Sequence, residues 1–208
     1  MIKKVFCAIA LALCVVSASA QDDKNNQLVI YAGPQLSTAS NTGGVTGKFS
    51  YLGGFQYERN SLFGEGFGLY GGLEYTAKGT KDFTFVDNHK DDYNLNYLQL
   101  NLGVKYAREI WGIDGFGEIG PYVAYGIGGE SKQGYTGYKG DSFGDFGDNF
   151  GFKKLDFGFR IAIGADFSGF RVMAGYQQGL INIADDQLIS NGYKNYGFFA
   201  AIGYGFKF

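Results

Sequence analysis

Three groups of residues in this chain have types and spacing suited to chemistry. The first is a set of opposite charges at period-two spacing. Between positions 155 and 167, Asp156, Arg160 and Asp166 alternate with Leu155, Phe157, Phe159, Ile161, Ile163, Ala165 and Phe167. Glu74, Lys78, Lys105, Glu118, Arg171 and Lys207 fill similar polar slots elsewhere. In extended backbone such residues share one face, where they can line a pore or neutralise one another as a closed network. The second group is the stretch GDSFGDFGDNFG at 140–151, in which Asp141, Asp145 and Asp148 each follow a glycine. Three carboxylates on flexible backbone can offer oxygen ligands to Ca²⁺, but the spacing fits neither the EF-hand loop nor the calcium-binding nonapeptide. A solvated loop is the simpler reading. Its Phe143, Phe146 and Phe150, with Tyr135 and Tyr138, can instead contact lipopolysaccharide sugars or a partner protein through the 129–153 loop. The third is the single histidine, His89, flanked by Asp87, Lys90, Asp91 and Asp92. A histidine beside acids can act as a general base, but no motif places a nucleophile next to it, so no catalytic residue and no cofactor is expected.

Composition narrows the function classes. Of 208 residues 35 are Gly and only 2 are Pro, with 20 Phe, 16 Tyr and 1 Trp, against a charged fraction of 18%. That leaves ample material for a folded core and argues against disorder. A net charge of -2 offers no basic stripe for a polyanion, so nucleic acid is not an expected partner. Residues 1–20 read as a cleaved signal peptide. Lys3 and Lys4 precede an apolar run from Val5 to Val16, and Ala18-Ser19-Ala20 forms a small-residue cleavage site. Cys7 and Cys14 both fall inside it, and Leu13 stands where a lipoprotein acceptor cysteine would want a small residue. The mature chain, 21–208, is then an acidic, cysteine-free domain.

Downstream no apolar run approaches the roughly 20 residues of a spanning helix, so membrane residence must come from strands. Alternation recurs over 28–36, 49–57, 67–77, 98–106, 119–127, 155–167, 170–176 and 198–208. The links after the second, fourth and sixth segments are short, and the others are longer and polar. This spacing predicts an all-β fold, an eight-stranded antiparallel up-and-down transmembrane β-barrel with both termini on the short-turn side. A soluble lipocalin-like barrel or a β-sandwich would turn the large apolar face inward. Here the apolar face is aliphatic and aromatic in nearly every slot, whereas the other mixes charges with Gly, Ala and Ser. Glycine weakens a strand and has no purpose on a solvated face, but a narrow barrel interior needs it. Hydrocarbon outside and a packed, charged lumen account for both faces. Glu74, Lys78, Lys105, Glu118, Asp156, Arg160, Asp166 and Arg171 are the expected lumen network, closed by mutual pairing in preference to conducting.

The segments LEYTAKG at 73–79, YLQL at 97–100, VKY at 104–106, GPY at 120–122 and YQQGLINI at 176–183 resemble the PorT-like family of outer-membrane β-barrels found in Bacteroidota. The likeness spans 29–208 and departs from the family pattern at Gln99 and Asn101, where Glu and Pro are frequent. It implies eight strands and a bacterial outer-membrane location, with outer-membrane lipids and lipopolysaccharide as surroundings. Residues and resemblance together lead to an expected structural, envelope-organising or surface-interaction role. The alternatives are an accessory barrel of a secretion or gliding apparatus and, with less support, a soluble lipocalin-like binding barrel or an outer-membrane enzyme.

The chain ends with Phe198, Ala200, Ile202, Tyr204, Phe206 and Phe208 at alternate positions. Tyr204, Phe206 and the terminal Phe208 resemble the C-terminal signal read by the barrel-insertion machinery. Phe208→Ala is expected to slow insertion in a pulse-chase assay while leaving the assembled barrel nearly as stable. Unchanged kinetics would reduce Phe208 to one more lipid-facing side chain.

Overall fold

Alternation of this length forces long strands, and the computed structural model arranges them as a closed wall. It describes residues 25–40, 46–83, 91–132, 139–143, 151–184 and 192–208; residues 1–20, expected to be a signal peptide, lie outside these. The strands are β1 (Asn26–Ser40), β2 (Thr46–Arg59), β3 (Phe67–Phe83), β4 (Asp91–Ile110), β5 (Ile113–Lys132), β6 (Lys139–Asp141), β7 (Leu155–Phe167), β8 (Phe170–Gly179) and β9 (Lys194–Lys207). Each pairs antiparallel with its neighbour; β1 meets β9, and β5 meets both β4 and β7. Eight strands therefore close without an edge, which is what hydrocarbon demands of backbone polar groups. The short β6 is an addition to the sequence expectation: it clips onto the end of β5, with Glu130 opposite Asp141 and Lys132 opposite Lys139.

Side-chain direction follows the alternation. Leu155, Ile163, Leu100, Leu102, Phe198 and Ile202 face outward and are exposed, whereas Asp156 and Arg160 are buried. Tyr57, Phe67, Tyr106, Phe170, Tyr204 and Phe206 ring the short-turn end, and Tyr51, Tyr75, Tyr125 and Tyr196 the other, the aromatic girdles of a transmembrane barrel. β4 and β5, with 20 residues each, run well past the 9–11 or so needed to cross a bilayer. Two connections at the short end are two-residue turns. Trp111-Gly112 and Ser168-Gly169 have positive φ at both positions (54° and 78°, 50° and 91°), the type I′ geometry that matches strand twist.

One row of paired residues shows how the wall is sheared. From Glu109 it runs through Asp114, Asp166, Arg171, Gly203, Tyr31, Gly54 and Glu74 to Gln99, returning to β4 ten positions from where it began. Such a stagger tilts the strands by roughly 35–45° and leaves an interior only wide enough for side chains.

Glycine makes that interior fillable. Tyr70 lies opposite Gly103, Tyr122 opposite Gly158, Phe116 opposite Gly164, Phe199 opposite Gly175 and Tyr31 opposite Gly203. The rings of Tyr70, Tyr122, Phe116 and Phe199 occupy space beside the hydrogen of their cross-strand glycines, and Gly203 makes room for the Tyr31 Cβ. A methyl group on Gly158 would sit 2.7 Å from the Tyr122 ring and 2.0 Å from the Gln178 carbonyl oxygen. Gly158→Ala should therefore destabilise the barrel by about 1–3 kcal/mol through overpacking. Urea titration in lipid vesicles, followed by loss of the fast-migrating band on unboiled gels, measures it.

Candidate functional site

The interior polar side chains form a layered network. At the short-turn end, Asp166 on β7 and Arg171 on β8 are direct cross-strand partners. Arg171 Nε donates to one Asp166 oxygen and Nη2 to the other, each at 2.7 Å. Arg171 also donates to Glu58 on β2, with Nη2 to Oε2 at 3.0 Å. Lys105 on β4 pairs with the same Glu58 carboxylate. Gln56 Nε2 bridges Glu58 and Glu118 at 2.9 and 2.8 Å. In the middle, Arg160 lies 3.4 Å from Glu118 and 4.0 Å from Glu74. Glu74 accepts hydrogen bonds from Tyr31 at 2.8 Å and from Gln177 at 3.1 Å. Toward the long-loop end, Lys78 meets Asp156 at 3.2 Å, and that carboxylate also accepts from Tyr122 at 3.3 Å and Asn195 at 3.1 Å.

Each cation also rests on an aromatic ring. Arg171 and Lys105 lie over Phe116, Arg160 over Phe199 and Lys78 over Tyr122, at 4.2, 4.8, 4.6 and 4.2 Å from the ring centroids. These are three of the rings that fill glycine gaps in the wall. Gln35, Lys78, Gln177 and Asn195, with Tyr196 and Gly197, leave between them a gap too narrow for a water molecule.

A second layer closes the long-loop mouth. Tyr93, Leu95, Tyr97, Phe143, Phe152, Ile183 and Tyr193 form a buried apolar cluster, with Phe152 at 5.0 Å from both Tyr93 and Tyr193 and Phe143 at 5.3 Å from Tyr97. Connecting segments supply four of these residues, Phe143, Phe152, Ile183 and Tyr193. Backbone bonds hold them inward, Lys153 to Ile183 at 2.7 Å and Ile183 to Tyr193 at 3.0 Å. Asn182 Oδ1 fixes the turn by accepting from the Ala184 and Tyr193 amides. Outside the membrane, the hydrogen bonds of Lys132 and then Lys139 hold the exposed Glu130 carboxyl below the usual range.

The structure brings Glu74, Lys78, Lys105, Glu118, Asp156, Arg160, Asp166 and Arg171 together inside the barrel. Lys207 differs: it sits at the short-turn end in a half-exposed pair with Asp114 at 3.1 Å. Sequence reading missed Glu58, the carboxylate that serves two cations. Its signal was one step beyond a strand ended at Tyr57, since Ser50, Leu52, Gly54, Gln56 and Glu58 continue one face. Of the calcium candidates, Asp141 accepts locally from the Phe143 amide at 3.0 Å; Asp145 and Asp148 lie outside the described residues, as do His89, Tyr135, Tyr138, Phe146 and Phe150. Among the described residues no three His, Cys, Asp or Glu side chains converge as metal ligands. Tyr204 and Phe206 face outward, their rings 5.0 Å apart, and the Phe208 amide donates to the Asn26 carbonyl at 3.0 Å, tying the end of the chain to its first strand.

Comparison with known proteins agrees with this architecture. Residues 8–206 match the model of the outer membrane protein beta-barrel domain family, and the chain belongs to that family. It is an integral protein of the bacterial outer membrane. No curated protein matches it in sequence. Among solved structures, OprG from Pseudomonas aeruginosa aligns with a TM-score of 0.51 at 10% identity over 90% of this chain and 100% of its own. Ail of Yersinia pestis, solved with the heparin analogue sucrose octasulfate, aligns at 0.46 and 15% identity over 88% of this chain and 99% of its own. Neisserial surface protein A gives 0.47 and 10%, over 88% and 97%.

Burial separates the two kinds of ion pair. Glu58→Ala leaves Arg171 and Lys105 short of a carboxylate in the interior and should cost about 3–5 kcal/mol, with Arg160→Leu on the order of 3 kcal/mol. Lys207→Ala breaks a solvated pair and should stay within about 1 kcal/mol. Equilibrium unfolding in vesicles ranks the three.

Proposed function

We infer that this barrel is a non-conducting envelope protein with a structural or surface-interaction role. The observation that carries this reading is the occupancy of the lumen. The cations Lys78, Lys105, Arg160 and Arg171 each have a carboxylate within 4.0 Å, and an apolar lid covers the network at the long-loop end. A solute path would have to break buried ion pairs, each worth several kcal/mol when one partner is lost. The long-loop end then serves as the contact surface, through residues 129–153 and the strand ends above the girdle. Lipopolysaccharide is the surrounding ligand, and lysines such as Lys132 and Lys139 suit its phosphates. No catalytic role is assigned.

Within the family, we place the chain in the PorT-like branch. The motifs that suggest it lie on β3, β4, β5 and β8 and carry Glu74, Lys78, Gln99, Lys105, Tyr122 and Gln177, all buried lumen residues. The resemblance thus rests on interior packing.

Planar-bilayer recording tests the reading. The purified protein should show no sustained conductance over the range in which general porins open. Stable ohmic steps would overturn the closed lumen. Co-isolation with a secretion assembly from native membranes would favour the accessory-barrel alternative.

A further inference from the structure

The only tryptophan of the chain, Trp111, is 97% exposed at the tip of the β4–β5 turn. Ile110 beside it is 53% exposed and lies opposite Ile113 across the turn, so the tip is hydrocarbon on both strands. Gly112 stands clear, with nothing within 4 Å of a Cβ added there. The neighbouring turn contributes a second exposed aromatic, Phe63; it is held against β4 by the Ala107 amide, which donates to the Gly66 carbonyl at 2.8 Å.

Lipid does not explain this tip. The short turns and termini of such barrels face the periplasm, where the lipid-facing wall of β4 ends at the girdle residue Tyr106. Arg108 and Glu109 follow, and Trp111 lies five positions past Tyr106. At about 3.3 Å per residue and a tilt near 40°, that is about 12–13 Å below the girdle. The headgroup layer is only about 5–8 Å deep on each side. Trp111 therefore lies in the periplasm, beyond a charged collar.

The backbone does not explain it either. Trp111 has φ 54°, and the first central position of this turn favours asparagine or glycine. A bulky side chain held in the left-handed region is an outlier that points to function. Solvent exposure of a large apolar patch adds a second liability.

We propose that the Ile110-Trp111-Ile113 tip is a knob that seats in an apolar pocket of a periplasmic protein, with Arg108 and Glu109 as its polar rim. A central tryptophan ringed by aliphatic groups, with charges outside them, is the composition of a protein-binding hot spot. A glycan strand would stack on the same ring, but sugar hydroxyls need polar side chains beside it, and the immediate neighbours are Ile110, Gly112 and Ile113. The inference rests on the orientation of the barrel and is independent of whether the lumen conducts.

Because Trp111 is alone, its fluorescence reads the tip directly. In vesicles of brominated phosphatidylcholine its emission should match that of solvated tryptophan, be quenched by acrylamide, and be untouched by the bromines. Bromine quenching would make it a lipid anchor and overturn the proposal. The mature chain has no cysteine, so Gly112→Cys reports orientation: labelling by an impermeant maleimide only after the outer membrane is permeabilised keeps the premise, and labelling of intact cells removes it. For the partner, benzoyl-phenylalanine is placed at 111 and, as a control, at Glu65, another exposed turn position. A discrete protein adduct from 111, absent from 65, is expected on irradiation of intact cells. The adducted protein should then co-purify with the wild type and at least tenfold less with Trp111→Asn. That variant suits the turn, so it should keep its heat-modifiable band and melt no lower than the wild type. Adducts to peptidoglycan, equal adducts from both positions, no adduct, or undiminished co-purification of Trp111→Asn would each overturn the knob.

Discussion

The width of the lumen is the constraint on which the rest of this structure depends. Eight strands closed with a stagger of ten leave a bore that side chains from all walls must share. The solution is a repeated series of contacts. Glycine in the wall makes room for a ring, the ring carries a cation, and the cation reaches a carboxylate. Gly164, Phe116, Arg171 and Glu58 form one such series; Gly175, Phe199, Arg160 and Glu118 form another; Gly158, Tyr122, Lys78 and Asp156 form a third. Part of the high glycine and aromatic content of the chain thus has one cause. Glycine lowers strand propensity, but here it creates the slot into which the cross-strand ring packs, and the ring shields the polar layer from lipid.

The two ends of the bore are treated differently. At the short-turn end the charges come close to water: Asp166 is slightly exposed, and Lys207 with Asp114 continues the polar character outward. At the long-loop end the fully buried charges stop at Lys78 and Asp156, and tyrosines and phenylalanines take over. Loop segments supply Phe143, Phe152, Ile183 and Tyr193 to that lid, so the loops are partly fastened to the core they leave.

Much of this was legible in the sequence, and what was not has identifiable physical reasons. The facing of Asp156, Arg160 and Asp166 followed from period two alone, because Phe157 and Ile161 cannot share their face. Eight strands and short turns on one side followed from the spacing of such segments. Partner choice did not. That Arg171 takes Glu58 and Asp166 while Arg160 takes Glu118 depends on the stagger around the whole barrel, which no local window contains. Glu58 was missed because the strand was ended at Tyr57, a lipid-facing residue at the girdle, although the inward row continued one position further. Lys207 shares the polar face by alternation, but at the last residue of β9 the bore has opened and the side chain turns to Asp114. The short β6 has no alternating pattern to read; it exists because β5 outruns β7 and leaves backbone groups near Glu130 to be paired.

The charged layer also does something that apolar packing would not. Lipid on one side and a filled lumen on the other strongly disfavour any odd slip of one strand against another, since it would turn every side chain to the wrong face. An even slip keeps all faces correct, and hydrocarbon packing is tolerant of it. The ion pairs are not. Sliding β8 by two residues against β7 removes Arg171 from its place opposite Asp166, and sliding β3 moves Lys78 away from Asp156. Among the described residues the interior holds five carboxylates, Glu58, Glu74, Glu118, Asp156 and Asp166, against four cations, so no spare cation can rescue a displaced acid. Glu74 shows how narrow the margin is, being stabilised largely by the neutral donors Tyr31 and Gln177, whose positions are set by the same register. Buried pairs add little net stability compared with well-packed apolar groups. Their contribution here is to select one register from the set that alternation alone would leave degenerate.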